Sequence, residues 1–171
     1  GGGNWNDTDS DGDGEFELST AVEIAKRSLD INLEYTETLN HKLPQRNVSY
    51  WVDVLFILFE NAISKSKLDR NEVVINLKVT MPNEKNLILH CTNNTSHVED
   101  TEIENKNLDF YKEAYGDEEL TRDAIQSEGG TGFFKIWKIV TKDLGINHRI
   151  DFGYIESDTF FVNLSLETKV G

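Results

Sequence analysis

The segment Glu128-Gly129-Gly130-Thr131-Gly132-Phe133-Phe134-Lys135-Ile136-Trp137-Lys138-Ile139-Val140 is the most informative part of this chain. Three glycines and a threonine lead directly into apolar residues at helical spacing, which predicts a glycine-rich turn that opens a helix. Because glycine has no Cβ, the backbone N–H groups of such a turn can approach an anion closely, and the helix N-terminus adds partial positive charge. Phosphate is the anion that this arrangement favours. An ordinary flexible loop before an amphipathic helix is the alternative, since short glycine motifs also occur by chance.

Residues 49–66 predict the most clearly patterned helix of the chain. Apolar side chains recur there at helical spacing and form one wide face: Trp51, Leu55, Leu58, Phe59 and Ala62. Asn61 lies beside this face. Because asparagine is a poor helix former and is costly to bury alone, it must find polar partners or contact something outside the fold.

Further periodicities predict a mixed set of helices and strands. A helix over 19–29 and a strand over 31–35 precede the Asn61 helix, and four strands follow it, at 73–79, 87–91, 149–154 and 159–166. Residues 98–128 show little periodicity, which predicts an irregular lid. The single cysteine, Cys91, lies in an apolar strand pattern, so we expect it to be buried rather than reactive.

The formal net charge of −14 over 171 residues is concentrated in two segments. Residues 1–17 hold six acids and no base, residues 98–128 hold eleven acids and three bases, and the rest of the chain holds fourteen of each. This distribution argues against binding of nucleic acid or of an anionic membrane by the domain. No apolar run is long enough to span a bilayer and no signal-peptide pattern is visible, so we expect a cytoplasmic domain over residues 18–168.

The acidic segment 1–17 holds a weak calcium-loop pattern. Asp9, Asp11 and Asp13 occupy positions one, three and five of an EF-hand-like loop, with a glycine at position six. Position twelve is Thr20 instead of the glutamate that would bind calcium with both carboxylate oxygens. A solvated acidic linker is the alternative.

The order of these elements resembles the ATP-binding domain of histidine kinases and of their relatives in the GHKL superfamily. The shared features are a helix with Asn61, two strands, an asparagine turn, a lid, a Gly-Gly-Thr-Gly helix start and a terminal hairpin, over residues 18–168. The resemblance implies an α+β two-layer sandwich, the Bergerat or histidine kinase-like ATPase fold, with a mixed, mostly antiparallel sheet. It also implies ATP or ADP with Mg²⁺ as the ligand.

The resemblance assigns roles to particular residues. Asn61, in Leu58-Phe59-Glu60-Asn61-Ala62-Ile63-Ser64-Lys65-Ser66, matches the asparagine that ligates Mg²⁺ in this superfamily, and Lys65 is a candidate nucleotide contact in the same segment. The phosphate-wrapping turn is matched by Gly129, Gly130, Thr131 and Gly132, with Lys135 as a further candidate.

Several positions depart from the family pattern. Asn93, in the turn Asn93-Asn94-Thr95-Ser96-His97, stands where the family has an adenine-binding aspartate, and Thr95 and His97 stand in place of glycines. Ile57 holds the usual position of the general base, and an apolar side chain cannot act as one. Phe134 and Lys135 stand where the family has small residues after its phosphate-wrapping glycine turn.

Two hypotheses follow. In the first, the chain is the C-terminal Mg-ATP-binding part of a larger signalling or ATPase protein. Its partners are then an adenine nucleotide and an upstream domain or partner protein, and a homodimer is a further alternative. ATP hydrolysis or histidine kinase activity stays open because of Ile57. In the second, the domain keeps the fold, binds no nucleotide and acts as a protein-interaction or dimerisation scaffold.

Overall fold

The computed structural model describes residues 14–39, 41–126 and 132–168, without the side chains of 124–126. Two parts of the predicted sites lie outside the described residues. These are the calcium-loop acids Asp9, Asp11 and Asp13, and the first three residues of the phosphate turn, Gly129, Gly130 and Thr131.

A five-stranded sheet forms one layer of the structure. Its strands are β2 (Asn32–Thr38), β4 (Val74–Asn83), β5 (Asn86–Asn94), β6 (His148–Glu156) and β7 (Thr159–Glu167), in the spatial order β2-β4-β5-β7-β6. Only β2 and β4 are parallel; the other neighbours pair antiparallel. The predicted α+β sandwich with a mixed, mostly antiparallel sheet is therefore confirmed. A small ribbon of β1 (Glu15–Phe16) and β3 (Leu43–Pro44) was not predicted, because two-residue strands show no alternation.

Helices form the second layer. They are α1 (Leu18–Leu29), α2 (Val48–Ser66), α3 (Thr101–Ala114), α4 (Glu118–Gln126) and α5 (Phe133–Lys138), which continues as a π-helical turn, Ile139–Asp143. The predicted apolar face of α2 is buried throughout, at Trp51, Leu55, Leu58, Phe59 and Ala62. Cys91 is also buried, as expected, and burial raises the pKa of its thiol to about 12. None of the described helices is long and apolar enough to cross a membrane.

The prediction of an irregular segment at 98–128 is wrong for its described part, which folds as α3 and α4. Each helix begins at an aspartate that accepts a backbone hydrogen bond: Asp100 from the N–H of Ile103 at 3.1 Å, and Asp117 from that of Leu120 at 3.0 Å. These caps are visible in the sequence. The apolar period is weak, because Leu108 and Ala114 are the buried residues of α3.

Candidate functional site

The glycine turn and the Asn61 helix meet at one contact. Gly132, the last residue of the turn, has a φ of 86°, and a Cβ placed on it would lie 2.8 Å from Cγ2 of Ile57. Ile57 lies one helical turn before Asn61 in α2. A side chain at position 132 would thus be both strained and obstructed. The two motifs that the sequence singled out separately therefore border the same space.

Asn61, one helical turn after Ile57 on α2, is a buried polar side chain. Only 4% of its surface is exposed, whereas the adjacent Glu60, about 100° further around the helix, is exposed. An amide oxygen is an acceptable ligand for Mg²⁺. The described residues hold no group of three His, Cys, Asp or Glu side chains that could bind a metal by themselves.

Asn93 lies on the helix-facing side of β5, where only 4% of it is exposed. Its neighbours across the sheet are Ile75 on β4 and Phe160 on β7, both fully buried. The amide nitrogen of Asn93 donates to the backbone carbonyl of Asn94 at 2.9 Å, which fixes the plane of the amide. Asn93 is therefore a polar group at the end of an otherwise apolar sheet face.

The neighbouring Asn94 has a different, structural role. Its side-chain oxygen accepts from the N–H of Val74 at 2.8 Å, and its nitrogen donates to the carbonyl of Glu72 at 2.9 Å. These bonds join the end of β5 to the beginning of β4. Of the two consecutive asparagines, it is Asn93 that the structure places on the helix-facing side.

The turn after β5 is tied to α2 and to the β6–β7 hairpin. The N–H of Ser96 donates to the carbonyl of Ser66 at 2.7 Å. The N–H of Thr95 donates to the carbonyl of Asp158 at 2.8 Å. Thr95 is buried, and its hydroxyl donates to the carbonyl of Ser96, whereas His97 is exposed. The C-terminal end of α2 is thereby held close to Asn93.

Lys65 lies at this same end of the site. Its ammonium is 5.6 Å from the centre of the Phe160 ring, on the helix side of the sheet. Burial, and secondarily the charge of Lys67, lowers the pKa of Lys65, whereas the carboxylate of Glu104 opposes the shift. The other predicted lysine, Lys135, is exposed in the first turn of α5.

Helix α3 is anchored to the sheet edge by a residue that sequence reasoning missed. The side chain of Asn105 donates to the carbonyl of Tyr154 at 3.0 Å and accepts from its N–H at 2.7 Å. A Cβ at Gly153 would lie 2.8 Å from the Asn105 oxygen. A glycine inside a strand signals such a close approach, so Gly153 was the available clue.

Two further contacts hold α3 in place. The ammonium of Lys112 lies 2.9 Å from the Asp151 carboxylate. The centre of the Phe134 ring, at the beginning of α5, lies 6.0 Å from the centre of the Tyr111 ring and 6.2 Å from that of the Tyr115 ring. Phe134, which follows the glycine turn, therefore joins the beginning of α5 to α3.

A family model described as the y4jQ C-terminal putative histidine kinase domain matches residues 18–168. No curated protein matches the chain. A nucleotide-free form of the catalytic domain of histidine kinase ThkA is similar in structure, with a TM-score of 0.59 at 14% identity, over 90% of this chain and 94% of that chain.

Two other solved structures show the same likeness. The mycobacterial sensor histidine kinase MprB has a TM-score of 0.58 at 13% identity, over 90% of this chain and 96% of that chain. The Acinetobacter baumannii histidine kinase AdeS has a TM-score of 0.55 at 15% identity, over 92% of this chain and 68% of that chain. The structural likeness establishes the fold of histidine kinase catalytic domains, and the family match establishes that this chain belongs to the family described as the y4jQ C-terminal putative histidine kinase domain.

Proposed function

We propose that the domain binds ATP or ADP together with Mg²⁺, between α2 and the glycine turn. The observation that carries this proposal is the contact between Gly132 and Ile57, which sets the end of the turn beside the Asn61 helix. Phosphates at the turn would meet backbone N–H groups and the N-terminal end of a helix. The turn residues Gly129, Gly130, Thr131 and Gly132 are the proposed phosphate contacts, with Lys135 as a flanking cation.

Asn61 is the proposed protein ligand of Mg²⁺. A single amide oxygen is a weak site, and the described residues supply no carboxylate cluster to strengthen it. Mg²⁺ commonly completes its octahedron with nucleotide phosphates and water. Metal and nucleotide should therefore bind together, with Mg²⁺ alone binding far more weakly than Mg²⁺ with ADP.

Asn93 and Lys65 are the proposed contacts at the base end. Asn93 offers a buried amide beside Phe160, and Lys65 places an ammonium over the same ring. Ile57 faces the turn where a base for phosphoryl chemistry would be needed, and it cannot accept a proton. These residues support nucleotide binding, and any turnover would need a base from elsewhere.

The domain would act as the C-terminal nucleotide-binding part of a larger cytoplasmic signalling or ATPase protein. A second candidate function is a protein-interaction or dimerisation scaffold that binds no nucleotide. The observation that favours it is the base-side turn, where the buried Thr95 and the exposed His97 carry side chains in place of glycines.

Isothermal titration with ADP and with a non-hydrolysable ATP analogue, each with and without Mg²⁺, separates the two candidates. We expect Mg²⁺-dependent binding that Asn61→Ala weakens by about tenfold or more, because the substitution removes the ligand that the protein is proposed to supply to Mg²⁺. Asn107→Ala is the matched control, because Asn107 is exposed on α3. The absence of binding by a folded wild-type domain would favour the scaffold.

A further inference from the structure

The two edges of the sheet differ in how their backbone groups are occupied. At the β6 edge, the Asn105 side chain bonds both the N–H and the carbonyl of Tyr154. The next outward N–H along β6, that of Phe152, donates to the Asp151 carboxylate at 2.9 Å. A register shift between Tyr154 and Glu156 also interrupts the ladder. Side chains and bulges of this kind keep a sheet edge from pairing with another chain.

Strand β2, at the opposite edge, lacks these devices. It pairs with β4 through seven consecutive residues, Asn32–Thr38, without a register shift. No other strand in the described part of the chain pairs with its outer side. Its sequence, NLEYTET, holds no lysine or proline, and every residue except Leu33 and Tyr35 is exposed. An exposed and unbroken edge strand presents a row of backbone donors and acceptors to a further strand.

The sequence of β2 is complementary to itself in the antiparallel direction. When two copies pair about a two-fold axis perpendicular to the sheet, opposite residues lie on the same face, and the register that pairs the whole strand is centred on Tyr35. In that register Glu34 lies opposite Thr36, and Glu37 lies opposite Leu33. No carboxylate then faces another, whereas registers centred on Glu34 or Glu37 would oppose two like charges.

The centre of this register carries an aromatic pair. Tyr35 lies on the helix-facing side of the sheet, because it is in register with the buried Leu77 of β4. Its hydroxyl donates to the Glu37 carboxylate at 2.7 Å, so this acid is already bonded within its own strand. Aromatic side chains directly opposite each other across an antiparallel pair attract. Side chains and backbone therefore favour the same register.

We propose that β2 is an interaction surface for a second copy of this chain. The two β2 strands pair antiparallel about a two-fold axis at Tyr35, which joins two five-stranded sheets into one and keeps the helices of both copies on the same side. This surface lies at the sheet edge, away from the Gly132–Ile57 contact on α2. The inference is therefore independent of the proposed nucleotide site.

Charge opposes this association and supplies a competing account. Each copy carries a net charge of −14, so the dimer should be reversible and should strengthen as salt screens the repulsion. In the competing account, Glu34 and Glu37 serve only to keep the edge from pairing. The chain would then stay monomeric even at high concentration and high salt.

The test is sedimentation equilibrium of the full chain at concentrations up to about 1 mM and at moderate ionic strength. Thr36→Lys places an ammonium opposite Glu34 of the second copy, and Thr36→Glu places a carboxylate there. The two-fold axis repeats each change, so every dimer carries it twice. Asn107→Lys and Asn107→Glu are the matched controls, because they make the same changes in net charge on the exposed surface of α3.

We expect a reversible dimer that Thr36→Lys strengthens and Thr36→Glu weakens, each by about three- to tenfold, with much smaller changes in the two Asn107 variants. Opposite effects of two substitutions at one exposed site cannot come from loss of the fold. A chain that is monomeric at every concentration, or a dimer that both Thr36 variants leave unchanged, would overturn the inference. Neither outcome bears on nucleotide binding, which the titration with ADP tests separately.

Discussion

Helices α2 and α3 pack against the same sheet by different physical means. Helix α2 buries a continuous apolar face on the sheet, whereas α3 buries two residues, Leu108 and Ala114, and is joined to the sheet edge by the Asn105 bonds to Tyr154 and by the Lys112–Asp151 ion pair. Apolar burial is non-directional and adds up over many atoms. Polar anchors are few and depend on geometry. We therefore expect α2 to unfold only with the whole domain, and α3 to open locally at lower free energy.

The largest effect should come from a cavity under α2. Leu55 is fully buried in the core, so Leu55→Ala should lower the free energy of unfolding by about 2–5 kcal/mol. Urea denaturation followed by circular dichroism measures this loss. Ile103→Ala on the outward face of α3, where 56% of Ile103 is exposed, is the control and should change stability little. A loss below about 1 kcal/mol for Leu55→Ala would contradict the core position of α2.

The next effect lies where the glycine turn meets α2. Gly132→Ala combines a left-handed φ of 86° with a clash against Ile57, so it should cost about 1–3 kcal/mol. Gly145→Ala is the matched control, because its φ is 64° and nothing lies within 4 Å of the added Cβ.

Thermal unfolding of both glycine variants separates strain from contact. If the contact is real, Gly132→Ala is the more damaging of the two, and adding Ile57→Ala to it recovers part of the difference. Equal losses for the two glycines would show that the turn does not touch α2.

Loss of the Asn105 anchor should affect α3 and leave α2 largely intact. Asn105→Ala removes two hydrogen bonds to Tyr154, worth about 1–3 kcal/mol together. Hydrogen exchange should become faster across α3 while exchange in α2 stays nearly unchanged, with Asn107→Ala as the control. Equal acceleration in both helices would mean that α3 and α2 form one cooperative unit.

The smallest effect concerns the C-terminal end of α3. The Tyr115 hydroxyl lies 2.6 Å from Nε2 of His148, and burial lowers the pKa of His148 below its ordinary 6.5, against the opposing bond to the carbonyl of Ile146. In the unfolded chain His148 therefore binds a proton more readily than in the folded domain. The stability that neutral His148 contributes above pH 6.5 is lost as the pH falls from 6.5 through the lower pKa of the folded state.

Melting temperatures at neutral and mildly acidic pH test this linkage. The acid-induced drop should be smaller in His148→Gln than in wild type, and unchanged in His97→Gln, which alters an exposed histidine. An identical drop in all three proteins would remove His148 as a source of pH dependence.

The contrast between the two helices also explains what the sequence could predict. The α2 face and the five main strands carry an apolar period, so their existence followed from pattern alone. Helix α3 buries two residues, Leu108 and Ala114, and adds the polar anchors Asn105 and Lys112, which follow no apolar period. Its helix cap at Asp100 and the glycine at 153 were the clues that remained.

The candidate site shows the same division. Asn61 stood out because a buried asparagine in an apolar helix is costly, and the glycines stood out by their spacing. The contact between Gly132 and Ile57, the orientation of Asn93 and the position of Lys65 over Phe160 depend on tertiary packing. No local pattern predicts such contacts, since they join residues that are far apart in the chain.

Paramagnetic broadening by Mn²⁺, used in place of Mg²⁺ with ADP, tests the central assignment most directly. If Asn61 and the glycine turn share one nucleotide-bound metal, amide resonances near Asn61 and Gly132 should broaden only when Mn²⁺ and ADP are both present, and not in Asn61→Ala. Broadening that needs no ADP and is confined to the acidic helices α3 and α4 would contradict the account, because the metal would then be bound by surface carboxylates.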